Sequence, residues 1–197
     1  MRRIAHFTVL LLALATFRAS ANEVEVQAAS LESVEDGLVL NADFDFELNQ
    51  RLEEIVASGV PLYFRVDFEL TRPRWYWLDE KAVSRQLQLR LSYHALSRHY
   101  RLSTGTLQQN FPSLGEALNV LKRVRNWLVA DRTTTFSDAD YQAAVRMRLD
   151  AGMLPRPFQL SALTSRELQL ESAWKRFTVR PRQLPAPVES REPQGAR

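Results

Sequence analysis

The sequence predicts a mainly β fold: an antiparallel β-sandwich, immunoglobulin-like or similar, of about seven or eight strands with one or two short helices. Two observations carry this expectation. Apolar and polar residues alternate with a period of two along most of the chain, which puts one side of each segment in a core and the other in water. The chain has 10 Phe, 4 Trp and no cysteine, so its core must come from apolar packing and not from disulfide staples.

The elements follow in order. Val24 to Leu31 alternates as a first strand, Glu35-Asp36-Gly37 turns, and Leu38 to Leu48 returns. In the return, Phe44, Phe46 and Leu48 share one side and Asp43, Asp45 and Glu47 the other. Asn49 caps a short helix whose stripe is Leu52, Ile55 and Val56, with Gly59 just past its end. The clearest strand is PLYFRVDFEL, with Leu62, Phe64, Val66, Phe68 and Leu70 on the dry side and Tyr63, Arg65, Asp67 and Glu69 on the wet side.

After a turn at LDEK, Val83 to His94 alternates again, with Leu87, Leu89, Leu91 and Tyr93 inward. Arg98 to Ser103 and Thr106 to Phe111 form a hairpin around Thr104-Gly105. Ser113 to Glu116 reads as a capping box that opens a helix running to about Asn126, with Leu114, Leu118, Leu121 and Val124 inward. Lys122, Arg123 and Arg125 then fall in its last turns, where cations complement the helix dipole. Tyr141, Ala143, Val145, Met147 and Leu149 form a further half-buried strand. LPRPF is a proline-stiffened connection, and a last strand lies near Trp174 to Val179.

The most unusual stretch is FELTRPRWYWLDEK, residues 68–81. Continuing the strand's phase would turn Arg72, Arg74 and Tyr76 inward, and burying two successive arginines is costly without partners. Pro73 cannot donate to a ladder and favours an edge or a bulge. A bulge at 72–73 flips the phase and sends Trp75 and Trp77 into the core. Without the flip, the two indoles beside arginines make an exposed platform of the kind that stacks on sugars or peptides. Arg72, Arg74, Trp75, Tyr76 and Trp77 are therefore the candidate binding surface.

The chain opens with Arg2 and Arg3, a mostly apolar run from Ile4 to Phe17, and Ala19-Ser20-Ala21. This is the pattern of a cleavable secretory signal, cut after Ala21. The expected organisation is a signal peptide over 1–21, a single β-sandwich domain over 22–180 and a disordered Pro/Arg-rich tail over 181–197. The expected location is the periplasm; the alternative is an uncleaved segment anchoring the chain to the inner membrane. The full chain has 26 basic and 23 acidic residues, and Arg2, Arg3 and Arg18 account for the difference. The high isoelectric point therefore comes from the signal segment, and nucleic acid is not an expected partner. Membrane contact is expected only through the N-terminal segment or the basic tail.

No catalytic pattern stands out. There is no G-x-S-x-G or H-E-x-x-H, and 6 glycines leave little room for phosphate loops. Asp43, Asp45 and Glu47 are spaced about 7 Å apart along a strand, which suits a solvated face better than one calcium ion. His94 and His99 flank the turn Ala95–Arg98 with no evident third ligand, so they read as surface residues. No catalytic residue, metal or cofactor is expected.

LNADFDFELNQRLEEIVASGVPLYFRVDFELTRPRWYWLDEK, then LRLSYHALSRHYRLSTGTLQQNF, SLGEALNVLKRVRNWLVAD, YQAAVRMRLD and LPRPFQ, closely resemble the proteobacterial domain-of-unknown-function family 4390 over residues 24–180. One departure is Trp127-Leu128, where the family would place proline after the tryptophan. The resemblance implies an exported protein, often encoded near a sensor kinase and response regulator pair of the nitrogen-regulation type, and supplies no catalytic residues. Together these readings predict a non-catalytic periplasmic binding or interaction module, accessory to envelope signalling, whose partner is a protein or an envelope polymer. One alternative is a hydrolase of envelope polymers using acids such as Asp79 and Glu80. The other is a structural envelope component.

Overall fold

Ten strands pair into one sheet in the computed structural model, which describes residues 23–74, 80–159 and 165–183. They are β1 (Glu23–Val34), β2 (Gly37–Asp45), β3 (Leu62–Arg72), β4 (Glu80–His94), β5 (His99–Thr104), β6 (Leu107–Phe111), β7 (Arg123–Asp131), β8 (Tyr141–Leu149), β9 (Glu171–Ser172) and β10 (Lys175–Val179). The helices α1 (Gln50–Ala57) and α2 (Leu114–Leu121) sit in the β2–β3 and β6–β7 connections. The order across the sheet is β6-β5-β4-β3-β8-β9-β1-β2-β7, and β10 also pairs with β8.

The mainly β expectation holds, but the strands connect differently. Pairing joins them into one curled, half-barrel sheet of mixed direction instead of the separate antiparallel sheets of a sandwich. The join is β9, which is antiparallel to β8 through Arg148 and Glu171 and parallel to β1 through Val24 and Ser172. Ser172 is buried there, and its Oγ accepts the Met147 N–H at 3.0 Å, replacing a ladder bond.

The alternation in the sequence maps onto the core. Leu62, Phe64, Val66 and Phe68 of β3 are each 0% exposed, so this strand runs through the centre of the dry face. The curl brings Phe46 onto Phe64 at 5.7 Å and sets Trp127 edge-on to Phe68 at 6.4 Å. Helix α1 is capped by Asn49, whose side chain accepts from Leu52 N, and buries Leu52, Ile55 and Val56 as its spacing predicts. Gly59 follows with φ +91.

Three expectations are corrected. Helix α2 opens at the predicted Ser113 cap but stops at Leu121, and β7 starts two residues later. Val124 has helical spacing, yet it is buried as a strand residue opposite Ala42, so pairing with β2 overrides local periodicity. Lys122 is accordingly the C-cap, and Arg123 and Arg125 lie on β7 and not in the last turn of the helix. Lys122 pairs instead with Asp45, and Arg125 with Asp43.

In the third correction, the irregularity beside Pro73 lies on the neighbouring strand. β3 stays paired to Arg72, and the register shifts between Leu70–Val83 and Thr71–Lys81, which leaves Ala82 of β4 as the extra residue. Glu80 and Lys81, expected in a turn, belong to β4. The directions of Trp75 and Trp77 lie outside the described residues, as do residues 1–22 and the tail from 184.

Candidate functional site: a cationic groove on the outer face of the sheet

Because Val66 and Phe68 point into the core, Arg65, Asp67 and Glu69 project from the outer face of β3. On β8 the same rule sends Arg146 and Arg148 outward. Register then places Asp67 opposite Arg146, and Arg65 opposite Arg148. The Asp67 carboxylate accepts from Arg146 Nε at 3.0 Å and Arg148 Nε at 3.2 Å, and Arg65 Nε stands 3.4 Å away. Three guanidiniums cover it so fully that it is only 5% exposed, although it lies on the wet face.

The cluster is held from its rim. Arg146 also donates to Glu171 at 2.7 Å, and its guanidinium lies 4.5 Å from the Trp174 ring centre. Arg65 lies 3.4 Å from Asp150. Among the described residues, Asp67 Oδ1 and Arg65 Nε are buried without a hydrogen-bond partner. At 3.4 Å the pair is an electrostatic contact but only a poor hydrogen bond.

Two neighbouring depressions lie on this face, the smaller one over the cluster. One, of about 90 Å³, is bordered by Asp67, Arg85, Arg146 and Arg148. The other, of about 660 Å³, is bordered by Lys81, Arg176, Thr71 and Gln142; Glu69 and Trp174 border both. The border has five cations, Lys81, Arg85, Arg146, Arg148 and Arg176, against the carboxylates of Asp67 and Glu69. A groove of this charge attracts anions, and guanidiniums bind carboxylates through paired, parallel hydrogen bonds.

Pro73 borders the larger depression, so the groove reaches the point where the aromatic run leaves β3. Of the five residues read from the sequence as a binding surface, Arg72 and Arg74 are described here. Trp75, Tyr76 and Trp77 lie outside the described residues, as does Asp79. Arg72 donates to Ser137 Oγ at 3.1 Å and pairs with Glu80, which also pairs with Arg74. The two arginines share one carboxylate and keep 32% and 38% of their side chains exposed, so the burial cost that the sequence raised does not arise. Their hydrogen bonds, Arg74 first and then Arg72, hold the Glu80 carboxyl below its ordinary value of 4.5. That favours a standing carboxylate over a proton donor at neutral pH.

His94 and His99 stand directly opposite each other across β4 and β5, and each turns its Nδ1 to Ser97. Among the described residues, no three or more His, Asp or Glu gather as metal ligands. Asp43 and Asp45 are engaged by Arg125 and Lys122. Among the described residues, no helix is long and apolar enough to cross a membrane.

The groove was not anticipated from the sequence. The alternation assigned Arg65, Asp67 and Glu69 to the wet face, and VRMRLD carries the matching Arg146 and Arg148. That β3 and β8 are neighbours in this register is a tertiary fact, and no local pattern reports it.

No curated protein and no solved structure matches the chain. The model of one family, described as a domain of unknown function (DUF4390), matches residues 21–178. This chain is a member of that family.

Proposed function

We propose that the chain is an exported, non-catalytic binding module of the periplasm, and that the groove over Asp67 and Trp174 holds a carboxylate-rich segment of a partner protein. The carrying observation is the excess of cations around the groove, five against two carboxylates. Arg148 binds Asp67 through Nε and keeps 30% of its side chain exposed, which leaves it accessible to a ligand. Trp174 adds an aromatic wall, and a depression of about 660 Å³ suits a few residues of extended chain. The signal-like N-terminus supports action outside the cytoplasm, and an accessory role in envelope signalling is consistent with both features.

The test is photo-crosslinking in cells from a probe at Thr71 or Gln142, both at the border of the groove. The expected result is a crosslinked partner that disappears when Lys81→Glu and Arg176→Glu are introduced together. Both residues are exposed, so the fold should survive the reversal. An unchanged crosslinking pattern in a folded double variant would overturn the reading.

A further inference from the structure

Residues 81–115 contain no acidic residue, while Lys81, Arg85, Arg90, Arg98 and Arg101 supply five cations. This stretch forms β4, β5 and β6, one whole wing of the sheet. Leu89 and Leu91 are buried, so Arg90 and His94 project from the outer face of β4. Arg101 and His99 lie opposite Ser92 and His94 and share that face. Arg90, His94, His99 and Arg101 therefore form one basic strip that leads to the β4–β5 turn. Glu53 of α1 acts electrostatically on Tyr100 of this wing, and Glu69 of β3 pairs with Lys81 at its far end.

The turn is unusual in two ways. Leu96 at its tip is 94% exposed, the most exposed large apolar residue among the described residues. Arg98 adopts φ 54, a conformation that Gly or Asn enters more readily. A bare leucine is thus presented beside an arginine kept at a strained turn position.

The topology gives this tip a direction. β1 is parallel to β9, and both β9 and β3 are antiparallel to β8, so β1 runs with β3. The N-terminal ends of β1 and β3 therefore point the same way. β3 starts at Leu62 opposite Leu91, and β4 and β5 continue past that point to the turn at 95–98. The end of the fold at which β1 begins is the end from which the Leu96 tip protrudes. The apolar run Ile4–Phe17, which the sequence marks for membrane insertion during export, precedes β1.

We propose that the β4–β5 tip is a docking point for an anionic phospholipid surface. Leu96 enters the headgroup boundary, while Arg98, Arg101 and Arg90 lie over the lipid phosphates. Juxtamembrane cations near an anionic leaflet each strengthen binding severalfold, and the attraction is screened by salt. One inserted leucine and three arginines make a reversible contact, which holds the module beside the membrane without anchoring it permanently.

The test uses the chain from Asn22 to Arg197, since the described core lies entirely between Val24 and Leu170. Sedimentation with vesicles of phosphatidylethanolamine and phosphatidylglycerol is compared with vesicles of phosphatidylcholine alone. Expected is binding to the anionic vesicles only, weakened by salt and reduced about tenfold or more by Leu96→Asp or by Arg101→Glu. Arg132→Glu, an exposed position just past the end of β7 and away from the tip, should leave most of the binding in place. Circular dichroism verifies that each variant is folded. If Arg101→Glu does not fold, Leu96→Asp decides alone, because that side chain packs against little. Equal binding to both vesicle types, no binding, or binding indifferent to the tip variants would overturn the proposal. So would tip-dependent capture of an acidic protein without vesicle binding. Because Lys81 and Arg176 carry the crosslinking test and Leu96 and Arg101 this one, the two readings can fail independently.

Discussion

On the outer face of β3, three guanidiniums converge on a carboxylate that water scarcely reaches. Removing its charge by Asp67→Asn leaves Arg65, Arg146 and Arg148 repelling one another with no central counter-ion. The arginines are partly exposed, so the loss should fall below that of a fully dry ion pair, at about 2–3 kcal/mol. Urea denaturation should show it as a lower midpoint with an unchanged slope. Glu80 offers a pH test. Its folded pKa is depressed by Arg74 and Arg72, so the folded state binds fewer protons than the unfolded state just below pH 4.5. The stability it contributes is complete above that pH and is lost as pH falls through the lowered value. Glu80→Gln should therefore destabilise slightly at pH 7 and have a smaller effect in acid; the exposure of the pair keeps both effects small. Denaturation midpoints of the two proteins across pH provide the measurement. An equal gap at every pH would mean that the ion pair contributes nothing.

Among the elements, the β1–β2 hairpin and its contact with β7 show where a glycine is required. Gly37 has φ +144, and a Cβ there would lie 2.0 Å from the Ala130 carbonyl oxygen. Backbone cannot yield as a side-chain tip can, so Gly37→Ala must part β2 from β7 or distort the turn. A loss of at least about 3 kcal/mol is expected, read as a lower thermal midpoint. The Glu35-Asp36-Gly37 turn was legible in the sequence; the approach of Ala130 was not. Strand β7 was harder to read for a related reason. Its register with β2 shifts twice, at Leu38/Val39 and at Leu40/Ala42, and Asn126 takes φ 50. Bulges erase the alternation that identifies a strand, and Leu114, Leu118, Leu121 and Val124 happen to fit a helix. The caps, by contrast, were local and readable. Ser113 Oγ accepts from Glu116 N at 3.3 Å, the N-cap half of a capping box, and donates to the Glu116 carboxylate at 3.1 Å in place of the backbone bond that would complete it.

In the whole molecule, strand pairing among the described residues links the β1–β2–β7 wing to the β3–β8 wing through Glu171 and Ser172 of β9 alone. Leu168 and Leu170, beside that join, are 2% and 1% exposed. A chain ended after Gln169 would lose the bridge, strand β10 and the buried Leu170 side chain. It would also leave an edge of β8 unpaired, with Val145 and Met147 beside it. Such a truncation is expected to abolish cooperative unfolding and to promote aggregation, measurable by thermal melting and size-exclusion chromatography. Cutting after Gln183 removes only residues beyond the described core and should leave the melting transition in place.

The wet and dry sides of β3, β4 and β8, the stripe of α1 and the start of α2 were set by the sequence alone. Each depends on residues within one or two turns of chain, where period and capping act directly. Tertiary structure decided which strands became neighbours. It placed Asp67 between Arg146 and Arg148, made a strand of Arg123–Asp131, and curled one mixed sheet where two antiparallel ones were expected. Those outcomes rest on contacts between residues tens of positions apart, and a local pattern carries no record of the partner it will meet.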